Sequence, residues 1–354
     1  MGEHRFPYRW RLADLPAPEP GAPRVFGTFL CGGGSTMGYK LAGFNHLGGV
    51  EIDPRIASIY AANHHPRHLF VEDLRIFNRR NDLPAELHDI DILDGSPPCS
   101  TFSLAGQREK AWGRKKTFRE GQSRQTLDDL VFVYCDTIAK LRPKVAILGN
   151  VAGLIKGNAR NYCHRINDRL FSAGYEVQVF LLNAAKMGVP QTRQRTFFIA
   201  RRRDLGFEPL SLCVNEPPIP FREIADRLPS AETLSYREYE LWRKRRPSDM
   251  GLDDIAKRVL GKGSYFNTRL VHADRVAPTI CAANYNILYD APRRMTSTEL
   301  RLAGSFPLDY SCGASKLGFI VGMSVAPVQM VHIASAIKSQ WFTKGGSPCS
   351  RNAL

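Results

Sequence analysis

The stretch Val25-Phe26-Gly27-Thr28-Phe29-Leu30-Cys31-Gly32-Gly33-Gly34-Ser35 decides the fold. A short apolar run breaks into three glycines, and Thr36–Gly43 then reads as the start of a helix. Glycines at a strand-to-helix turn let the backbone pass close to a ligand, and the helix that follows offers unpaired N–H donors. Working outward, Leu47–Ile52 reads as a second strand, Pro54–Asn63 as a helix and Ile90–Asp94 as a strand. Leu127–Leu141 is a longer helix, Val145–Leu148 a strand, Tyr162–Ala173 a helix, and Val177–Leu182 and Thr196–Ala200 are strands. Strands and helices alternating at these lengths predict an α/β fold, a parallel sheet with helices on both faces. After Ala200 the alternation stops, and a segment rich in Arg, Pro and Tyr reads as a second, irregular domain. Thr298–Ala303 and Val325–Lys338 look helical again. The expected division is 1–203, 204–292 and a return over 293–354.

Composition narrows the function classes. The 354 residues are 43% hydrophobic and 23% charged, the balance of a folded protein rather than a disordered one. No stretch approaches about 18 consecutive apolar residues, so no membrane span is expected, and Met1–Arg11 has no apolar stretch of signal-peptide type. A soluble, cytoplasmic chain is expected. The 49 Lys and Arg exceed the 34 Asp and Glu, giving +15, which suits a polyanionic partner, most simply nucleic acid, or else a generally basic solvated surface. None of the eight cysteines forms a CxxC pair, so neither a zinc knuckle nor a disulfide framework is expected, and no metal.

Two acids and one thiol stand out. Glu51 ends the second strand, about 20 residues after the glycines, where nucleoside-binding α/β folds place an acceptor for ribose hydroxyls. Asp73 either faces an adenine amino group or caps a helix. No Lys or Arg lies in the turn, which points to an adenosine-type cofactor without a pyrophosphate. Gly95-Ser96-Pro97-Pro98-Cys99-Ser100-Thr101-Phe102-Ser103 follows the strand Ile90–Asp94, exposing Cys99 at a carboxyl end, where such sheets bind ligands. Arg108, Lys110, Arg114, Lys115, Lys116, Arg119 and Arg124 follow, against only Glu109 and Glu120. Positive neighbours favour a thiolate, so Cys99 reads as a nucleophile, with a buried structural thiol as the alternative.

These stretches together resemble the DNA cytosine-5 methyltransferases. The matching residues are Thr28–Ser35 with Gly38 and Gly43, Glu51, Asp73, Gly95–Ser103, Gly149-Asn150-Val151, Pro190-Gln191-Thr192-Arg193-Gln194-Arg195, Arg294–Pro307 and Gly322-Met323-Ser324-Val325-Ala326-Pro327. They cover nearly all of the chain outside 204–290. The Pro-Pro-Cys and Gln-x-Arg-x-Arg stretches, in this order and spacing, are the specific part.

The resemblance implies a Rossmann-like sheet, S-adenosylmethionine as cofactor, and a target cytosine flipped out of double-stranded DNA. It implies that Cys99 attacks C6, that Arg195 holds the cytosine carbonyl oxygen, and that Arg193 organises the pocket with Gln191 in the loop that fixes both. Cofactor contacts are implied at Leu30, Cys31, Gly32, Gly34, Glu51, Ile52, Asp73, Leu74, Pro97, Met323, Ser324 and Val325. DNA contacts are expected at Ser100, Gln107, Arg108, Gln191, Arg243 and Arg245. The run Arg243-Lys244-Arg245-Arg246, beside Tyr239 and Trp242, suits phosphate contact or a solvated helix face. The resemblance also suggests a restriction–modification context with a partner nuclease, and a monomer.

The pattern departs at one decisive place. The family reads Glu-Asn-Val where this chain has Gly149-Asn150-Val151. That Glu hydrogen-bonds N3 and the exocyclic amine of cytosine, and its loss as a positioned acid removes about 10²–10⁴ in rate. Thr28 and Leu30 stand where Asp and Phe are usual, and Met323 where Asn is usual. Three readings remain open: a methyltransferase impaired at 149, a DNA-binding and base-flipping homologue with little turnover, and a transferase adapted to a bulkier or carboxylated sulfonium donor through an enlarged pocket. A tRNA methyltransferase of similar sequence is a further rival. A nicotinamide dehydrogenase would share the glycine turn but has no use for Pro-Pro-Cys.

Overall fold

The structure, a computed structural model, describes residues 4–98, 130–151, 160–226 and 233–343. Its elements begin with β1 (Arg24–Thr28), α1 (Gly34–Leu41), β2 (Asn45–Val50), α2 (Pro54–His64), β3 (His68–Phe70), α3 (Leu74–Arg79) and β4 (Ile92–Gly95). There follow α4 (Leu130–Leu141), β5 (Val145–Val151), α5 (Arg160–Ser172), β6 (Tyr175–Asn183) and β7 (Gln194–Arg202). Then come α6 (Tyr236–Trp242), α7 (Leu252–Leu260), β8 (Leu270–Val271), β9 (Ile287–Leu288), α8 (Ser297–Ala303), α9 (Ala314–Met323) and α10 (Pro327–Ile337).

One seven-stranded sheet runs in the order β3-β2-β1-β4-β5-β7-β6. The pairs from β3 across to β5 are parallel, as expected. β7 departs from that expectation and pairs antiparallel with β5. Residues 184–193, between β6 and β7, are too few for the helical crossover that a parallel return needs, so β7 enters the sheet reversed. Phe26, Val50, Leu93, Leu148 and Phe198 from the strands pack with Phe77, Tyr134, Ile138, Ile166 and Leu170 from the helices in one apolar core.

The chain packs as two units. One comprises 15–182, 194–214 and 329–354, and holds the sheet; the other comprises 1–14, 183–193 and 215–328. These boundaries cross the expected ones, because 183–193 and 293–328 belong to the second unit. Nor is that unit irregular throughout. α6 and α7 bury Leu241, Trp242, Leu252, Ile255 and Ala256 with Leu270 and Ile287 of the small parallel pair β8 and β9. α6 carries a capping box, in which Ser235 and Glu238 satisfy each other's backbone N–H groups. The most apolar long helical stretch, Leu317–Phe342, has the length of a membrane span, but 94% of its most apolar window is buried in the protein.

Candidate active site

The glycine turn is held by an acid. Glu51 is 7% exposed. Its Oε2 accepts the Cys31 N–H at 2.9 Å and its Oε1 the Asp53 N–H at 3.0 Å. Burial raises the Glu51 carboxyl above its ordinary range, opposed by the backbone donors of Asp53, Cys31 and Ile52. Phe29 and Cys31 both adopt left-handed backbone, at φ 55° and 47°, and Gly33 sits at φ 77°. Non-glycine residues pay strain there, and such strain concentrates where backbone is shaped for a ligand. His64 Nε2 lies 3.2 Å from the Gly32 carbonyl oxygen, which sets the tautomer with Nε2–H donating. Burial lowers His64 to about 3, so the ring is neutral. A Cβ at Gly33 would lie 2.2 Å from that ring nitrogen, so this position admits no side chain without displacing His64.

An adenosyl group fits this turn. A carboxylate has about four acceptor sites, and the backbone donors leave capacity on Glu51 for a hydroxyl. Asp73 is differently engaged: it caps α3 through the Arg75 N–H at 2.8 Å and pairs with the Arg75 guanidinium at 3.0 Å. Of the other residues implied for the cofactor, Leu30, Gly32, Gly34, Leu74 and Pro97 are buried in the sheet unit, and Cys31 and Ile52 are half-buried there. Met323, Ser324 and Val325 belong to the other unit.

Beneath the turn lies Asp94, at the end of β4. Tyr39 Oη donates to its Oδ1 at 3.2 Å and Ser35 supplies a second side-chain bond. Burial pushes the Asp94 carboxyl up to about 7. A carboxyl whose folded pKa lies above its unfolded value stabilises the fold fully below pH 4, and that contribution is lost as pH rises through 7. Roughly three units correspond to about 4 kcal/mol. Asp94→Asn is expected to flatten this dependence, read as a smaller fall in the urea midpoint between pH 4.5 and pH 8 than the parent shows.

β5 and β7 bring three further residues to one face. Gly149 pairs with Phe197 and Val151 with Arg195, so Gly149, Phe197 and Arg195 share a face of the antiparallel pair. A Cβ built on Gly149 would stand 2.6 Å from Ser96 Oγ and 3.5 Å from Phe197 Cε1. The space expected to open at 149 is therefore met in part by a hydroxyl. Ser96 Oγ is buried and has no hydrogen-bond partner among the described residues. The motif order did not single out Ser96; its position three residues before Cys99 is the only sequence signal for it.

The other unit contains the remaining motif residues. Arg193 is 6% exposed. Its guanidinium donates to the carbonyl oxygens of Ile280, at 2.9 Å, and of Gly322. Gln191, 1% exposed, accepts the Ile280 N–H at 3.1 Å and donates to the Ala303 carbonyl at 3.1 Å. Both side chains thus tie α8, α9 and the loop at Ile280 of their own unit together, and the Gln191 amide is engaged inside the protein. Arg193→Ala leaves buried acceptors unmet at about 1–3 kcal/mol each. Chemical denaturation is expected to show a loss of about 2–6 kcal/mol.

Among the basic residues expected on DNA, Arg243 is exposed near the end of α6, on the side that carries Tyr236, 79% exposed, and Tyr239. Arg245 is half-buried: its guanidinium lies 3.5 Å over the Trp242 ring and 5.1 Å from Tyr289. Cys99, Ser100, Gln107 and Arg108 lie outside the described residues.

The sequence model described as C-5 cytosine-specific DNA methylase matches residues 25–339. The chain belongs to this family. Its relatives include the Type II methyltransferase M1.HphI of Haemophilus parahaemolyticus, 34% identical over 332 residues, 87% of this chain and 85% of that one. They also include the Type II methyltransferase M.DdeI of Desulfomicrobium norvegicum, 34% identical over 189 residues. That match takes in 52% of this chain and 41% of the relative, so the chain spans well under half of that relative's length. Among solved structures, a prophage-encoded E. coli protein superposes with TM-score 0.65 at 18% identity, covering 91% of this chain and all of that one. Spodoptera frugiperda DNMT2 gives 0.59 at 14%, over 89% and 99%. At these identities the structures speak for the fold: the mixed α/β sheet is the architecture shared with methylase-family chains.

Proposed function

We propose that this chain is a DNA cytosine-5 methyltransferase that binds double-stranded DNA, takes a target cytosine out of the helix and uses Cys99 as nucleophile. The observation that carries the reading is the face shared by Gly149, Phe197 and Arg195, reached from the same sheet end as the Glu51-held glycine turn and the Ser96-Pro97-Pro98 approach to Cys99. Strand ends of this kind are where α/β sheets place ligands.

S-adenosylmethionine, when bound, supplies an electrophilic methyl group. The protein's residues do the rest. Glu51 accepts a ribose hydroxyl, while the strained turn at Phe29–Gly33 shapes the backbone against the nucleoside. Cys99 Sγ, as the thiolate, forms a bond to C6 of the flipped base, and C5 gains the nucleophilic character needed for transfer. Arg195 holds the base carbonyl oxygen, and Arg193 with Gln191 fixes the loop before it. Loss of the C5 proton to a base then expels Cys99. With Gly149 in place of a carboxyl group, no residue at this position protonates N3, so transfer to cytosine is slow. Arg243 and the exposed α6 face contact DNA phosphates. The Type II naming of the relatives supports a restriction–modification setting in the cytoplasm with a cognate nuclease; the working unit is a monomer.

The test is direct. The full chain is incubated with a random-sequence DNA duplex and S-adenosylmethionine carrying a labelled methyl group, and the nucleosides are then separated by mass. Label in 5-methylcytosine supports the reading. Tight DNA binding without label and without a covalent adduct would instead identify a binding protein. An equal test with a carboxylated donor decides the altered-donor alternative, which the Ser96 hydroxyl beside Gly149 disfavours by filling part of the space.

A further inference from the structure

The residue at 149 is where the family meets the edge of the base that distinguishes cytosine from uracil. Cytosine presents an acceptor at N3 and a donor amine at C4; uracil presents a donor at N3–H and an acceptor at O4. A carboxyl group kept in one protonation state at a fixed place selects one of these patterns. In this chain that group is missing, and among the described residues beyond its chain neighbours the nearest atom is Ser96 Oγ, 2.6 Å from where the side chain at 149 would begin. The hydroxyl is buried and unpartnered among the described residues. A buried polar atom without a partner costs about 1–3 kcal/mol, so a ligand that satisfies it gains accordingly. A hydroxyl is one rotatable donor with acceptor lone pairs, so it can donate to O4 or accept from N3–H.

The electronic demand points the same way. Thiolate addition to C6 of cytosine drives the electron pair towards N3, which needs a proton from a positioned acid. Addition to C6 of uracil drives it through C5 and C4 onto O4, an oxygen that carries the charge as an enolate and needs only a hydrogen-bond donor. Ser96 Oγ–H and the Arg195 guanidinium are donors; neither Gly149 nor Phe197 on this face is an acid.

We infer that this pocket takes a 4-keto pyrimidine, uracil in DNA, in preference to cytosine. The inference rests on the Cys99 reading above. The step balances as a simple substitution. The Cys99 Sγ–C6 bond forms as the C5=C6 pair becomes C4=C5 and the C4=O4 pair moves onto O4. C4=O4 then re-forms as the C4=C5 pair bonds C5 to the methyl group, and the donor sulfur keeps the S–CH3 bonding pair. The C5 proton passes to water, C5=C6 re-forms and the Sγ–C6 bond breaks, leaving thymine.

The experiment uses two random-sequence duplexes, one with 5-fluorocytosine and one with 5-fluorouracil throughout. Each is incubated with the full chain and S-adenosylmethionine. Fluorine cannot leave as a proton does, so the adduct persists and is counted on a denaturing gel, with the attached peptide identified by mass. At least about tenfold more Cys99 adduct with fluorouracil is expected, with Gly149→Glu reversing the preference and Ser96→Ala lowering the fluorouracil adduct about tenfold. A second readout keeps the test independent of that variant's folding: labelled methyl appears as thymine in a uracil-containing duplex treated with the unaltered chain. Adduct with fluorocytosine alone, or in equal amount with both, overturns the preference while leaving Cys99 in its role. No adduct with either duplex removes Cys99 from its role, and the inference with it.

Discussion

Cys99→Ala is expected to abolish both the covalent complex with 5-fluoropyrimidine DNA and labelled methyl transfer, a fall on the order of 10⁴ or more in kcat. The expectation follows from the chemistry of C5, which is not nucleophilic until something adds at C6. The oxygen of a serine is a far poorer nucleophile than a thiolate at neutral pH, so Cys99→Ser is expected to show the same loss. Thermal unfolding and DNA binding should both stay near parent values, because the substitution removes a single side-chain atom and no cationic DNA contact. Two outcomes would remove Cys99 from the reaction: an adduct that persists in Cys99→Ala, or methyl transfer that survives within tenfold. Cys135, on the buried face of α4 with its thiol pushed up to about 12 by burial, offers no substitute.

The sheet was legible because its strands are short apolar runs between helices, and glycine and proline mark their ends. Glu51 was legible for the same reason: an acid at the end of an apolar strand has few structural uses. Asp73 shows the limit of that logic. A helix cap and a cofactor ligand look alike in sequence, and only the 2.8 Å bond from Arg75 N–H shows the capping role. Arg193 and Gln191 were found by pattern, but their hydrogen bonds reach 87 to 129 residues along the chain, which no local periodicity can reveal. α6 and α7 were missed because each is nine residues or fewer, with an apolar face too short to show a period. Arg245 was read from a basic run, yet stacking on Trp242 and Tyr289 separates it from Arg243 two residues before it. Ser96 was hidden because its importance lies in what stands opposite it, on a strand more than fifty residues further along the chain.

Restoring the carboxyl group gives the second large effect, and the structure says that one substitution is not enough. Gly149→Glu is expected to raise cytosine methylation, since a positioned acid at N3 contributes about 10²–10⁴ in rate. The new Cβ, however, would start 2.6 Å from Ser96 Oγ, closer than a real carbon approaches an oxygen. Either the serine rotates or the glutamate is displaced, and a displacement of about 1 Å can cost around 10²-fold where geometry is strict. Ser96→Ala removes the obstruction and leaves a methyl carbon 3.7 Å away, at ordinary contact distance. The pair Ser96→Ala with Gly149→Glu is therefore expected to reach the full gain, while Gly149→Glu alone falls short by tenfold or more. The comparison is made as kcat/KM on cytosine duplex for four proteins: parent, each single variant and the double. Equal activity of the single and double glutamate variants would show that Ser96 turns aside freely. The hydroxyl would then be a neighbour of the pocket rather than a filler of it, and the missing carboxyl would be the whole of the lesion at this position.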